Sequence, residues 1–210
     1  MTTCTRRHLL ASAGFALAGL GLAGRAGAVA QSGLSAIAAG LNPYLVGGAS
    51  LALARHASAI WSHDVIAIAD FGVPSSVPRF HLIDLLRGNV ASMLVTHGRG
   101  SDPDHTGMLQ SFSNVPGSLA TSEGAYLTGE LYDGIHGTSR RLIGLDPTDN
   151  NAMDRAIVIH SAPYAEAAMI AEQGRLGRSD GCFVFGQADL ATVLARLGQG
   201  RLIYAGRAPV

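Results

Sequence analysis

From residue 63 onward the chain alternates short apolar runs with clusters of Gly, Pro, Asn and Asp. The runs are VIAIADF (65–71), RFHLIDLL (79–86), ASMLVTHG (91–98), AYLTGELY (125–132), SRRLIGLD (139–146), AIVIHS (156–161), CFVF (182–185) and RLIYAG (201–206). Each is four to eight residues long and bounded by turn formers, so the pattern predicts eight strands. Only two later stretches change period to that of a helix. PYAEAAMIAEQG (163–174) carries Pro163 at an allowed first-turn position, and QADLATVLARLG (187–198) ends on Gly198 as a C-cap. Residues 31 to 61 are rich in Ala and Leu, and run from Gly48 to Trp61 without a breaker, which predicts a helical N-terminal segment. The pattern is that of a mostly β domain with a few packed helices. There is no detectable repeat and no low-complexity linker, so a second folded domain is not expected.

The first thirty residues follow a different logic. MTTCTRRHLLASAGFALAGLGLAGRAGAVA reads as a charged n-region, a weakly apolar Gly/Ala/Leu stretch and a small-residue cleavage site. The pair Arg6-Arg7 is that of a twin-arginine export signal, with Leu9 where phenylalanine is more usual. Ala28-Val29-Ala30 places cleavage after Ala30, with Ala26-Gly27-Ala28 as the alternative. The apolar run is short of the about 20 residues a spanning helix needs and is rich in glycine, so no stable membrane insertion is expected after cleavage. The expected organisation is a signal peptide at 1–30, a helical segment at 31–62 and a mostly β domain at 63–210, located in the periplasm or cell envelope.

Composition narrows the chemistry. The 210 residues carry 15 basic and 15 acidic side chains, a formal charge of zero with no basic run, which disfavours a nucleic-acid partner. Every basic residue is arginine, and the absence of lysine removes Ser–Lys dyads and Schiff-base catalysis. Of the two cysteines, Cys4 belongs to the leader, so Cys182 is the thiol that a mature chain keeps. A single thiol in an oxidising compartment is either buried and inert or retained for its reactivity.

A free thiol is only a few per cent ionised at neutral pH, and a cysteine enzyme needs a neighbour to raise its reactivity. His160 ends the apolar run Ala156-Ile157-Val158-Ile159, so a buried strand would present its imidazole at the sheet edge. The glycines Gly174, Gly177 and Gly181 permit the tight return from His160 to Cys182, and a loop entering through Asp180-Gly181 can aim backbone N–H groups at a developing oxyanion.

IVIHSAPY followed by GRLGRSDGCFV resembles the murein L,D-transpeptidase catalytic domain family (YkuD-like), in which an apolar strand ending in His precedes a Ser/Thr-x-Gly-Cys loop. Asp70-Phe71, Thr96-His97-Gly98-Arg99, Phe112-Ser113-Asn114, Tyr126, Thr128-Gly129, His136-Gly137 and Arg155-Ala156-Ile157-Val158 fall in the family's order, extending the resemblance over roughly residues 63 to 206. The resemblance implies an L,D-transpeptidase-like β-sandwich and a thiol enzyme acting on peptidoglycan stem peptides at the bond between a diamino acid and D-alanine. It implies Cys182 as nucleophile, His160 as general base, Ser161 or its carbonyl as the group orienting the imidazole, and Ser179, Asp180 and Gly181 as the oxyanion loop. Arg178, His136 and Tyr164 are candidate substrate-binding residues, with Arg140 and Arg141 as weaker arginine candidates. No cofactor or metal is called for, and a monomer is expected. Asp180 stands where histidine is commoner, and Phe183 and Phe185 where small residues or proline are expected.

Three alternatives remain open. Ile135-His136-Gly137-Thr138 spells the widespread family histidine motif more literally than Ile159-His160-Ser161, although it lies 46 residues before the cysteine with two apolar strands between. HGRGSDPDH offers His97, Asp102, Asp104 and His105 as ligands for a metal hydrolase. A non-catalytic wall-binding module is the third, and within the enzyme reading water as acceptor would make a carboxypeptidase or endopeptidase.

Overall fold

The computed structural model describes residues 33–209. The expected leader at 1–30 lies outside the described residues. All eight predicted runs contribute strands: β1 (Val65–Asp70), β2 (Phe80–Asp84), β3 (Asn89–Met93), β4 (Gly124–Gly134), β5 (Gly137–Gly144), β6 (Val158–Ser161), β7 (Phe183–Phe185) and β8 (Leu202–Gly206). The run at 91–98 is corrected: pairing stops at Met93, and Val95 to His97 leave the ladder to line the core as irregular backbone.

The strands form one sheet in the order β3-β2-β1-β8-β4-β5-β6-β7. β1 is buried at every position, and its Val65 to Ala69 read as an unbroken apolar run because both its faces are covered. Val65, Ala67 and Ala69 join one core, while Ile66 and Ile68 join the other. The sheet curls on itself. Phe80 of β2 meets Phe185 of β7 edge to face with ring centroids 4.9 Å apart, although the two strands lie towards opposite ends of the strand order. Phe183 lies between Phe71, Phe80 and Tyr126. The expected sandwich is thus made by a single folded sheet, closed by aromatic side chains that each contribute about 1.5–3 kcal/mol of burial.

Helix α1 (Pro43–Arg55) covers the outer face. Pro43 fills the first turn, where no amide donor is needed, and the Asn42 side chain accepts from the Tyr44 amide at 3.0 Å. Its residues Leu45, Val46, Ala49 and Ala52 share a core with Ile66, Ile68, Ile83 and Leu202, so the N-terminal helical segment forms a layer of the same unit. The expected helix at 163–174 is split: Pro163–Ala165 form a 3-10 turn, and α2 covers only Ala168–Gln173. Helix α3 (Gln187–Arg196) ends one residue before the expected cap, at Leu197, and Glu166 closes its first turn by accepting from the Gln187 amide at 2.8 Å.

Candidate active site

β6 and β7 run parallel, with Ile159 opposite Phe183 and His160 opposite Val184. One step back in this register, Cys182 comes level with Val158. Alternate residues of a strand share a face, so Cys182 and His160 project from the same side of the sheet while Ile159, Phe183 and Phe185 fill the core. The crossover between the parallel strands carries the 3-10 turn and α2.

His160 is 2% exposed. Its Nδ1 lies 3.0 Å from the Ser161 carbonyl oxygen, which can only accept, so Nδ1 carries the proton and Nε2 is left as the basic nitrogen. The Ser161 hydroxyl is turned away and donates to Gln187 Oε1 at 2.8 Å, so the carbonyl of Ser161 is the part that meets the imidazole. Burial lowers the His160 pKa below its ordinary value; the bond to Ser161 opposes this and the charge of His136 adds to it. His136 stands at the tip of the β4–β5 hairpin, and its ring stacks on that of His160 with centroids 4.1 Å apart. The intervening strands that separate the two histidines in sequence therefore do not separate them in space.

Cys182 is half-buried, and its Sγ donates to the Ala156 carbonyl at 3.5 Å. Burial pushes the thiol pKa up, Asp180 adds to this, and the Val158 amide and Arg155 guanidinium oppose it. At rest the thiol and the imidazole are both neutral. Tyr164, whose carbonyl accepts from the Gly177 amide at 2.7 Å, adjoins the same loop. Burial, with the nearby Cys182 and Asp180, raises its phenol to about 12, so it remains a hydrogen-bond donor at neutral pH.

The SDGC loop is held from within. Ser179 Oγ donates to the Cys182 carbonyl at 2.7 Å and accepts from the Gly181 amide at 3.2 Å. The Gly181 N–H is thereby engaged within the loop. Gly181 has φ of 117°, and a Cβ there would lie 2.7 Å from the Ala120 carbonyl oxygen, so only glycine fits. The Asp180 side chain is exposed and pairs with Arg99 at 2.8 Å. Arg178 donates from Nη1 to the carbonyls of Asp102 and Pro103, tying the loop to its neighbour. Arg140 is buried and donates to the Gly129 carbonyl at 2.7 Å, and Arg141 pairs with Glu130 at 2.9 Å and lies over Tyr132, so neither faces the thiol as a free carboxylate ligand.

Sequence reasoning gave Arg155 no role. It donates to the Ser113 and Ala120 carbonyls and to the hydroxyls of Ser122 and Ser118, gathering the 113–122 segment, whose Ala120 carbonyl packs against Gly181 of the cysteine loop. An arginine directly preceding a buried strand was the available signal. Of the residues of the metal alternative, His97, Asp102 and His105 are engaged with other partners and Asp104 is exposed. His97 lies between Arg79 and Asp102, the His105 Nε2 is 3.0 Å from the Leu176 carbonyl, and no cluster of three His, Cys, Asp or Glu side chains suited to a metal occurs among the described residues.

A mostly β fold with a thiol and an imidazole on one face of adjacent strands defines the class, and the family follows from comparison. The model of the L,D-transpeptidase catalytic domain matches residues 40–205. The chain belongs to the L,D-transpeptidase catalytic domain family. A search of curated proteins finds no match. Similar solved structures include an L,D-transpeptidase from Mycobacterium smegmatis (15% identity, 68% of this chain and 58% of that one, TM-score 0.41). Another is an L,D-transpeptidase from Mycobacterium tuberculosis H37Rv (15%, 68% and 57%, 0.44). A third is from Xylanimonas cellulosilytica (14%, 69% and 61%, 0.40). The chain spans about three fifths of the length of these structures. The family assignment stands on the domain match, and no helix among the described residues is long and apolar enough to cross a membrane.

Proposed function

We propose that the protein is a cysteine-dependent peptidoglycan L,D-transpeptidase, with Cys182 as nucleophile and His160 as its base. The observation that carries this reading is the β6–β7 register, which sets both side chains on one face while the Ser161 carbonyl holds the imidazole proton on Nδ1. Nε2 of His160 takes the thiol proton as Sγ bonds to the stem-peptide carbonyl carbon. The carbon–nitrogen bond to D-alanine then breaks, and the same proton leaves on the departing amine. The thioester passes its acyl group to an amine of a second stem, which makes a cross-link, or to water, which makes a carboxypeptidase; either acceptor regenerates the thiol. Burial disfavours the charged form of both groups, so the proton starts on the sulfur and Nε2 starts free to receive it. His136 and Tyr164 flank the reacting pair as substrate contacts.

Incubation with a purified stem tetrapeptide, followed by intact-protein mass spectrometry, tests this. A mass gain equal to the tetrapeptide less D-alanine is expected, lost in a folded Cys182→Ala variant. Product formation by that variant would overturn the cysteine reading. Adding a second stem as acceptor separates cross-linking from hydrolysis. We further propose export to the periplasm through the twin-arginine leader. Changing Arg6 and Arg7 together to lysine should leave precursor in the cytoplasm, and undiminished periplasmic yield would point to the general secretory route.

A further inference from the structure

HGRGSDPDH takes no part in this chemistry, yet it contributes to a set of wholly buried polar groups. Arg79 and Asp102 are 0% exposed and His97 is 1% exposed. Placing a guanidinium and a carboxylate out of water costs several kcal/mol per ion unless every donor and acceptor is met. Here they are met. Arg79 donates to the Val95 carbonyl through Nε and Nη2, to the Val73 carbonyl through Nη1, and to His97 Nδ1 through Nη2 at 2.7 Å, with its carbon 4.9 Å above the Phe71 ring. Arginine can only donate, so Nδ1 of His97 accepts and its proton resides on Nε2, which faces Asp102 Oδ2 at 3.3 Å. Burial, with the Arg79 charge, takes the His97 pKa down to about 4 and keeps the ring neutral. Asp102 also accepts from the Thr106 amide and hydroxyl, the Gly107 amide and Gln110 Nε2.

The backbone this row supports is the one to which the cysteine loop is fastened. The Thr96 amide donates to the Val184 carbonyl at 3.0 Å, the Ser179 amide to the His97 carbonyl at 3.0 Å, and the Arg99 amide to the Ser179 carbonyl at 2.7 Å. Arg178 reaches the Asp102 and Pro103 carbonyls. A Cβ at Gly98 would stand 2.9 Å from Gly181 Cα, so the two backbones are in direct apposition. Ser179 then bonds to the Cys182 carbonyl.

We propose that Arg79, His97 and Asp102 are positioning residues for the Cys182 loop: their buried row fixes the 96–103 backbone from which Ser179 hangs, and through Ser179 it sets where Cys182 stands relative to His160. The proposal rests on the reading of Cys182 and His160 as the reacting pair. A misplacement of about 1 Å at such a pair costs about 10²-fold in rate.

The test uses the full mature chain and three variants: His97→Leu, which breaks both contacts of the row; His97→Gln, whose amide can accept from Arg79 and donate to Asp102; and Thr106→Val, which removes one exposed donor to Asp102. Amide hydrogen exchange is read over 177–184 and over β1, β4 and β8, alongside kcat and KM for thioester formation on the stem tetrapeptide. His97→Leu should exchange about tenfold faster over 177–184 with the other strands unchanged, and lose about 100-fold in kcat with KM within about threefold. His97→Gln should recover most of both losses, and Thr106→Val should move local exchange about threefold in the same direction. Wild-type exchange and kcat in a folded His97→Leu variant, an effect confined to KM, or equal losses in the Leu and Gln variants would each overturn the proposal. Should His97→Leu fail to fold, unchanged local exchange in Thr106→Val overturns it. Failure of the wild-type protein to form any thioester would defeat the functional reading instead, while the exchange measurements still judge the positioning role.

Discussion

The ring of His136 lies flat on that of His160, with centroids 4.1 Å apart and planes 15° from parallel. One histidine comes from a hairpin tip and the other from the end of a buried strand. The stack covers His160, and the charge of His136 acts in the same direction as burial, so both hold the His160 pKa below the ordinary 6.5. The acid limb of the pH–rate profile should therefore lie below pH 6.5 in the wild-type protein. His136→Ala uncovers the ring and removes the charge, two changes that each raise the His160 pKa, so the limb should move upward and the rate at pH 6 should fall more than the rate at pH 8. His160→Ala should cost about 10²–10⁴-fold across the profile. Acylation rates measured from pH 5 to 9 by intact-protein mass spectrometry check both. If the His136 variant lost the base activity and the His160 variant kept it, the roles would be exchanged.

Ser161→Ala should change the acylation rate by less than about threefold, because the hydroxyl serves Gln187 while the backbone carbonyl, which the substitution keeps, orients the imidazole. A loss of 100-fold would show that the hydroxyl has a role in the reaction that its hydrogen bond to Gln187 does not reveal.

Gly181→Ala should abolish turnover and destabilise the loop. The new Cβ would meet the Ala120 carbonyl oxygen at 2.7 Å in a backbone conformation with φ of 117° that side chains avoid. Circular dichroism should report a folded protein with a melting temperature lower by several degrees, and alkylation of Cys182 should lose its single-exponential course as the loop adopts more than one arrangement.

Asp149 predicts an opposite pH trend from most carboxylates. It is wholly buried, and its Oδ2 has no hydrogen-bond partner while Oδ1 accepts from the Asp146 amide at 2.8 Å. Burial, with the nearby Asp146, raises its pKa to about 8. The folded state holds this proton more tightly than the unfolded state, so the stability it contributes is complete below the ordinary value of 3.8 and is lost as pH rises towards 8. Asp149→Asn should remove that loss, stabilising the protein by about 1–3 kcal/mol at pH 8 and by almost nothing at pH 4. Thermal unfolding at the two pH values measures the difference, and equal shifts at both would rule out the ionisation as the cause.

The strands were legible because apolar runs between turn formers carry their own boundaries, and β1 with its six buried residues is the clearest case. Their order was not. β8 enters between β1 and β4, and nothing local to RLIYAG says that it pairs parallel to Val65–Asp70. Cys182 and His160 stood out because a lone thiol and a strand-ending histidine are scarce features. The surroundings of HGRGSDPDH did not, because Arg79 opens the run RFHLIDLL as an ordinary charged residue and only the fold shows it stacked over Phe71 with no exposure at all. Ala156, whose carbonyl meets the thiol, adopts φ of 52°, a conformation its residue type gives no reason to expect.

The parallel pairing of β6 and β7 has an evolutionary corollary. The register between the strand that carries the imidazole and the strand that follows the sulfur is set by ladder hydrogen bonds, whereas the number of residues from 160 to 182 is set by the crossover that joins them. That connection can lengthen or shorten without altering the register at its two ends. Descendants of the same ancestor are thus free to drift in the interval between the two motif halves, and a pattern written with a rigid gap would lose them, while one that scores each half separately and leaves the intervening length open would keep them.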